Sequence, residues 1–272
     1  MISFPNAKIN LGLYILNKRS DGFHTIETCF YPIPWNDALE IIPAEQTVFS
    51  RSGNTIPGDA NSNLCLKTYE AIKKKYGIPP VHIHLHKNIP IGAGLGGGSS
   101  DAAFTAKLLN DMFKLNMSVV ELEDTVRNLG SDCAFFIQNK SIIGHEKGDR
   151  FTDPDIVNIS GFWIYLLYPN IHVSTKEAYE GVFPDSNRKP ISEILRLPLE
   201  RWKDQLINDF ESSIFKKFPA IENAKKQLYS HGAIYAAMSG SGSTVFGIFK
   251  NKPEPIVLDG SQLTIGRLIA QL

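Results

Sequence analysis

Residues 90–104 read Pro-Ile-Gly-Ala-Gly-Leu-Gly-Gly-Gly-Ser-Ser-Asp-Ala-Ala-Phe, with five glycines in the seven positions from 92 to 98. Glycine loses more conformational freedom on folding than any other residue, so such a run persists only where the backbone must take positive φ or touch something closely. One glycine suffices to start or stop a helix; five ahead of an apolar helical pattern favour a ligand at the backbone over a flexible loop leading into a helix capped by Ser99 or Ser100. The helix beginning near Ser99 adds unpaired N–H groups and a positive dipole end, which together favour an anion. A di- or triphosphate fits that demand.

Gly92-Ala93-Gly94-Leu95-Gly96-Gly97 satisfies the dinucleotide fingerprint G-x-G-x-x-G. Its context does not. In that fold the first strand runs straight into the first glycine, and an acidic residue closes a second strand about 20 positions on. Here Lys87-Asn88-Ile89-Pro90-Ile91 intervene, and the acidic position falls near Glu121, inside a capped helix. Walker-type loops need Gly-Lys-Ser/Thr, whereas Gly98 is followed by Ser99, Ser100 and Asp101.

Lysine plus arginine and aspartate plus glutamate number 28 each among 272 residues. No overall field recruits nucleic acid or an anionic membrane, so neither is an expected partner and an anion has to be held by local design. Cys29, Cys65 and Cys133 are odd in number and never spaced as a metal or redox pair, which predicts a reducing compartment. No apolar run reaches the about 18 residues of a membrane span, and residues 1–5 carry no signal-peptide pattern, so a cytoplasmic protein is expected.

Hydrophobic periodicity predicts an α+β chain. Ala7, Ile9, Leu11 and Leu13 alternate with Lys8, Asn10, Gly12 and Tyr14, as in a half-buried strand, which puts Lys8 and Asn10 on one face. Asp21-Gly22 turns into a second strand over 23–31, and 37–42 gives a third. Asn61-Ser62-Asn63 caps a helix with Leu66, Tyr69, Ile72 and Tyr76 on its apolar face and Gly77 as its stop. Residues 81–86 alternate strictly, with His82, His84 and His86 on one side. Alternate strand residues stand about 7 Å apart and no carboxylate or cysteine is near in sequence, so a wet sheet face is favoured over a metal site.

Ser118 and Glu121 form a capping box for a helix ending near Leu129. The polar stretch 144–160 places a boundary between a domain over 1–155 and another over 156–272. Beyond it the pattern predicts a strand over 162–168, helices over 175–182, 200–218 and 222–230, and strands over 233–238 and 244–249 flanking Ser239-Gly240-Ser241-Gly242-Ser243.

A phosphate site becomes an enzyme only with a group that handles an acceptor. Asp132 lies just past Gly130, where the chain can turn sharply and aim a carboxylate into a cleft, and Lys8 on the polar face of the first strand is its candidate partner. An adjacent ammonium would keep the carboxylate ionised and set it against an acceptor hydroxyl. Sequence alone does not bring the two together.

Three separated stretches, Pro5-Asn6-Ala7-Lys8-Ile9-Asn10-Leu11, the loop 90–103 and Met238-Ser239-Gly240-Ser241-Gly242-Ser243, resemble the GHMP kinases, named for galactokinase, homoserine kinase, mevalonate kinase and phosphomevalonate kinase. Arg19-Ser20-Asp21-Gly22-Phe23-His24, Gly130-Ser131-Asp132 and Asn208-Asp209-Phe210-Glu211 extend the match over nearly the whole chain. They point to the members that phosphorylate the 2-hydroxyl of a cytidine diphosphate-linked polyol. The resemblance implies the GHMP kinase fold, an N-terminal ATP-binding domain like the second domain of ribosomal protein S5 and a ferredoxin-like C-terminal domain.

The resemblance further implies ATP with Mg2+. The phosphates would lie along Pro90, Gly92, Gly94, Leu95, Gly96, Gly97, Gly98, Ser99, Ser100 and Asp101, with Asn63 near the adenine. It assigns no protein ligand to the metal, Ser99 or Ser100 being the candidates. It makes Asp132 and Lys8 the catalytic pair, Asp132 accepting the hydroxyl proton and Lys8 orienting and stabilising the reacting groups. At the substrate end it implies Asn10 on the polyol, His24 on the cytosine edge, and Phe23 and Tyr179 stacking on the base, with Thr175 nearby. Asn6 separates Pro5 from Ala7 where the family has Pro-Ala-Lys contiguous, and Ala134 stands where a proline follows the aspartate; neither departure removes a reacting group.

Overall fold

A computed structural model describes residues 1–56, 58–154, 159–256 and 265–271. The chain divides into two compact units, each assembled from separated segments. The first comprises Met1–Lys8, Pro32–Ile91 and Gly96–Lys140; the second comprises Ile9–Tyr31, Gly92–Leu95 and Ser141–Leu272. The expected boundary between residues 155 and 156 lies outside the described residues.

The first unit contains a four-stranded sheet in the order Ile2–Ser3, Ala38–Pro43, Val81–Lys87, Val48–Gly53. The last strand runs parallel to its neighbour and the others pair antiparallel. Leu39 faces Leu85 and Ile41 faces Ile83 in register, and all four are buried, so the alternation seen in the sequence becomes the apolar face of the sheet. Helices Leu64–Tyr76 and Gly97–Met112 pack on each other. The first of these begins where the Asn63 side chain accepts from Cys65 N at 2.8 Å and stops at Gly77 with φ 65°, as its caps predict. A helix over Val119–Arg127 carries both halves of the Ser118–Glu121 capping box, and a short helix over Cys133–Gln138 follows Asp132.

The opposite face of that sheet carries the three histidines. The strand Val48–Gly53, which the sequence reading did not anticipate, sets Ser50 against His84 and Ser52 against His86. Ser50 Oγ lies 2.7 Å from His82 Nε2 and 2.8 Å from His84 Nδ1, while Ser52 Oγ lies 3.0 Å from His84 Nε2 and 2.9 Å from His86 Nδ1.

The second unit holds an antiparallel sheet in the order Tyr235–Met238, Val245–Phe249, Trp163–Tyr168, Ile265–Gln271. Its core draws Leu13, Tyr165, Leu167, Phe210, Leu228 and Val245 into one cluster. A further sheet is ordered Asn6–Lys18, His24–Asn36, Ile142–His145, Arg150–Thr152, and its two long strands pass from one unit to the other at Lys8 and Tyr31.

The helix expected over 200–218 is interrupted. A 3-10 turn spans Leu199–Arg201 and helix resumes only at Glu211–Lys217. Between them Leu13 N donates to Ile207 O and Asp209 N donates to Leu13 O, both at 2.9 Å, forming a parallel bridge from Leu13 to Asn208. Backbone groups spent on strand pairing are not available to the i→i−4 ladder of a helix. Among the described residues no helix is long and apolar enough to cross a membrane.

Candidate active site

In the first unit the glycine-loop helix begins at Gly97, two residues earlier than expected, with Gly96 as its N-cap at φ 70° and no side-chain cap. Ser100 N bonds back to Gly96 O at 2.9 Å. The N–H groups of Gly97, Gly98 and Ser99 precede the first intrahelical bond and so have no helical acceptor. Asp132 holds the N-cap position of the short helix yet makes no capping bond. Its carboxylate instead lies 3.2 Å from Lys8 Nζ, a side chain only 3 % exposed against 27 % for the aspartate.

A Cβ on Gly96 would stand 3.1 Å from Lys8 Cε and 3.0 Å from the Phe136 ring. The loop therefore rests on the lysine stem, and the ammonium, the carboxylate and the glycine loop are contiguous. Asn6 contributes to this placement. Asn139, the left-handed C-cap of the helix that follows Asp132, donates to Asn6 Oδ1 at 2.7 Å, tying the start of the Lys8 strand to that helix. Ala134 is fully buried within the same helix.

Asp101 departs from the phosphate-contact set expected for it. It is buried, and its Oδ2 accepts from Lys87 Nζ at 2.7 Å, while Lys87 also pairs with Asp37. Burial raises the Asp101 carboxyl above the usual carboxylate range; Lys87 opposes the shift and Asp37 adds to it. Burial alone would lower the Lys87 ammonium, but the two carboxylates outweigh it and raise it. A signal for this cluster was present in the sequence: Lys87 continues the inward series Val81, Ile83 and Leu85, so a cation occupies an apolar-face position.

The remaining expected nucleotide residues of this unit lie around the helix start. Pro90 is buried, Gly98 and Ser99 open the helix, and the Ser100 hydroxyl is fully buried without a hydrogen-bond partner. Asn63 commits its side-chain oxygen to capping.

In the second unit the loop's first half takes Gly92 at φ 66° and Gly94 at φ 76°, with Leu95 buried. A Cβ on Gly94 would stand 2.0 Å from Ser239 O. Ser239 Oγ donates to Gly94 O at 2.8 Å and Thr244 N to Ala93 O at 3.2 Å, so the second glycine-serine motif is the floor of this half-loop. Asn208 braces that floor, its amide donating to Met238 O at 2.7 Å and Gly240 O at 2.8 Å. Ser239, Thr244 and Asn208 were not among the residues expected at the site, although the Ser-Gly-Ser-Gly-Ser run between two strands was the visible trace of this floor.

Asn10 is buried, with Nδ2 donating to Thr28 Oγ1 at 2.9 Å. His24 stacks face to face on Tyr179 at 4.7 Å and 14°, and Tyr179 meets Phe210 edge-on at 4.9 Å. Burial, reinforced by Lys18, lowers the His24 imidazole below its ordinary value and favours the neutral ring, which donates at one nitrogen and accepts at the other. The first partner of the Tyr179 face is thus His24. Phe23 is exposed and carries the Lys147 ammonium 5.1 Å above its ring. Thr175 is exposed at the start of the helix Thr175–Glu180, which Ser174 caps.

The arrangement offers a carboxylate able to take a proton, an ammonium able to offset negative charge, and a row of backbone N–H groups suited to phosphate. Residues 63–140 match the family model described as GHMP kinases N terminal domain, and residues 187–257 match GHMP kinases C terminal. The chain is 70 % identical over 254 residues to 4-diphosphocytidyl-2-C-methyl-D-erythritol kinase of Cytophaga hutchinsonii, covering 93 % of this chain and 94 % of that protein. It is 49 % identical over 250 residues to the protein of the same name from Parabacteroides distasonis, covering 92 % of each. A crystal structure of 4-(cytidine 5'-diphospho)-2C-methyl-D-erythritol kinase superposes with a TM-score of 0.76 at 29 % identity over 91 % of this chain and 90 % of that one. Methanococcus jannaschii mevalonate kinase, at 14 % identity and a TM-score of 0.68 over 92 % of this chain and 90 % of that one, shares the fold.

Proposed function

This chain belongs to the GHMP kinases, and on that premise we propose that it transfers the γ-phosphoryl group of ATP to the 2-hydroxyl of 4-diphosphocytidyl-2-C-methyl-D-erythritol, a step in non-mevalonate isoprenoid precursor biosynthesis. The observation that carries the reading is the 3.2 Å Lys8–Asp132 pair packed on Gly96. The relative at 70 % identity supports the choice of alcohol.

Asp132 takes the proton of the attacking hydroxyl. Lys8, 3.2 Å from that carboxylate, orients it and offsets charge on the transferring group, while the N–H groups of Gly97, Gly98 and Ser99 hold the phosphates of ATP against the helix dipole. Phosphoryl transfer passes through a loose transition state, so placement of these groups outweighs the strength of the base. Magnesium is held by hard oxygen donors, commonly one or two protein groups beside phosphate oxygens, and supplies charge neutralisation. The donors at the helix start fit it: Ser99 and Ser100 present hydroxyls there, the second buried and unpartnered.

The adenine end is assigned to Asn63. In the second unit Asn10 serves the polyol, the neutral His24 ring reads the cytosine edge, and Tyr179 and Phe23 offer stacking faces, with Thr175 beside Tyr179 on the same short helix.

Incubation with Mg-ATP and the cytidylylated polyol, with ADP release as the readout, tests the reading against mevalonate and against the same polyol phosphate lacking cytidine. Turnover is expected only with the first, and chelation by EDTA is expected to stop it. Comparable rates with mevalonate would overturn the substrate, and ATP binding without turnover on any alcohol would make the chain a nucleotide sensor.

A further inference from the structure

Three charged side chains that the transfer step does not use share one buried pocket in the first unit. Lys87 ends the strand Val81–Lys87, Asp37 joins the strands His24–Asn36 and Ala38–Pro43, and Asp101 is the fifth residue of the helix Gly97–Met112. Their side chains are 2 %, 0 % and 4 % exposed. Lys87 Nζ pairs with Asp37 Oδ2 and donates to Asp101 Oδ2 at 2.7 Å. Asp37 Oδ1 accepts from the backbone N–H of Asn88 at 2.6 Å and of Ile89 at 2.8 Å, the residues that lead into the glycine loop. A Cβ on Gly97 would stand 2.8 Å from Lys87 Nζ and 3.0 Å from Ile89 Cγ2, so the first helical residue is pressed against this ammonium.

Stability does not account for such a cluster. Dehydrating each ion costs several kcal/mol, and well-packed apolar residues of similar volume serve a core as well or better. With both carboxylates ionised the pocket carries a net charge of −1 beside a helix start that the proposed function assigns to phosphate, an arrangement that works against anion binding. What the cluster does achieve is geometric: one ammonium ties the chain entering the loop, through Asp37, to the helix leaving it, through Asp101.

We propose that Lys87, Asp37 and Asp101 are positioning residues that fix both flanks of the glycine loop, so that the N–H groups of Gly97, Gly98 and Ser99 are held ready for the phosphates of ATP. The inference rests on the nucleotide occupying this loop. The charge-assisted Lys87–Asp101 bond is the tie that can be loosened without emptying the pocket. Facing Asp101 are Lys87 from the strand, Asp37 from the preceding connection, and the Cys65 thiol of the helix Leu64–Tyr76, which burial keeps protonated.

The test compares wild type with Asp101→Asn, which keeps shape and one acceptor oxygen while leaving a neutral Lys87–Asp37 pair. KM for ATP is expected to rise about tenfold at about pH 8, the loss of one charge-assisted hydrogen bond at the low end of its worth, with KM for the cytidine substrate within about twofold. Lys87→Arg keeps the charge but drives a larger head against Gly97, and is expected to raise KM for ATP as well. Unchanged KM for ATP in Asp101→Asn, or equal losses for both substrates that track the melting temperature, would overturn the proposal. So would failure of both variants to fold, which assigns the cluster to stability alone. Calorimetric titration of wild type with ATP separates this from failure of the functional reading, since a wild type that binds no ATP sinks the latter first.

Discussion

Lys8 and Asp132 in the first unit and His24 and Tyr179 in the second are held by different physics. The charged pair depends on one distance, on a carboxylate spared from capping, and on a glycine against which only a backbone fits. The aromatic pair depends on overlapping faces, and a third ring, Phe210, supports it edge-on. Charge and backbone contacts tolerate little displacement, because a carboxylate out of reach of its proton does nothing. Stacked rings slide and exchange with modest loss. On the proposed assignment, the chemistry of the transfer lies where the structure is least forgiving, and recognition of the base lies where substitution is most easily absorbed.

Asp132→Asn is the severest test of that contrast. It is expected to lower kcat about 10²–10⁴-fold, the usual worth of a positioned base, with ATP affinity by calorimetry nearly unchanged. A rate within tenfold of wild type would remove the carboxylate from the mechanism and erase the distinction.

Gly94→Ala asks whether the half-loop in the second unit is equally unforgiving. Positive φ and a Cβ at 2.0 Å from Ser239 O predict a destabilisation of about 2–5 kcal/mol. That corresponds to a drop of about 10 °C in melting temperature. A wild-type melt would show that this floor can yield.

His24→Ala should raise KM for the cytidine substrate about 3–10-fold and leave KM for ATP alone, since one stacked ring and one polar edge are lost. Equal effects on both substrates would contradict its assignment to the base. Because the imidazole is shifted downward, the wild-type KM for the cytidine substrate is expected to stay flat with falling pH through the ordinary histidine value and to rise only in more acidic solution. Tyr179→Phe is the mildest change, expected within about twofold in every constant because the stacking face is retained. A larger effect would assign its hydroxyl a role of its own and narrow the contrast between the units.

What the sequence disclosed follows the reach of the interactions involved. Asn63, Gly77 and the Ser118–Glu121 box act within one helical turn, and their helices stand where local chemistry puts them. The loop's backbone was equally local, because a run of glycine before a helix predicts positive φ, and Gly92, Gly94 and Gly96 take it. The helix expected over 200–218 failed for the converse reason: the backbone at 207–209 pairs with Leu13, nearly two hundred residues away in sequence, and no window of neighbours contains that partner. Lys87 and Asp37 are fifty residues apart and meet only once the sheet has formed. Lys8 and Asp132 stand out in the sequence by their chemistry, but their approach to 3.2 Å is a property of the fold alone.

The serines between the imidazoles on the open sheet face have a consequence for where hydrogens reside. Each hydroxyl has a single proton, so in a fully satisfied chain of neutral rings it receives a bond from one imidazole and gives one to the next. If His82 carries its hydrogen on Nε2, Ser50 must point to His84 Nδ1, His84 must then carry its own on Nε2, and Ser52 passes the same choice to His86. Reversing one ring reverses all three, so the strand has two collective tautomers and no mixed one that keeps every bond.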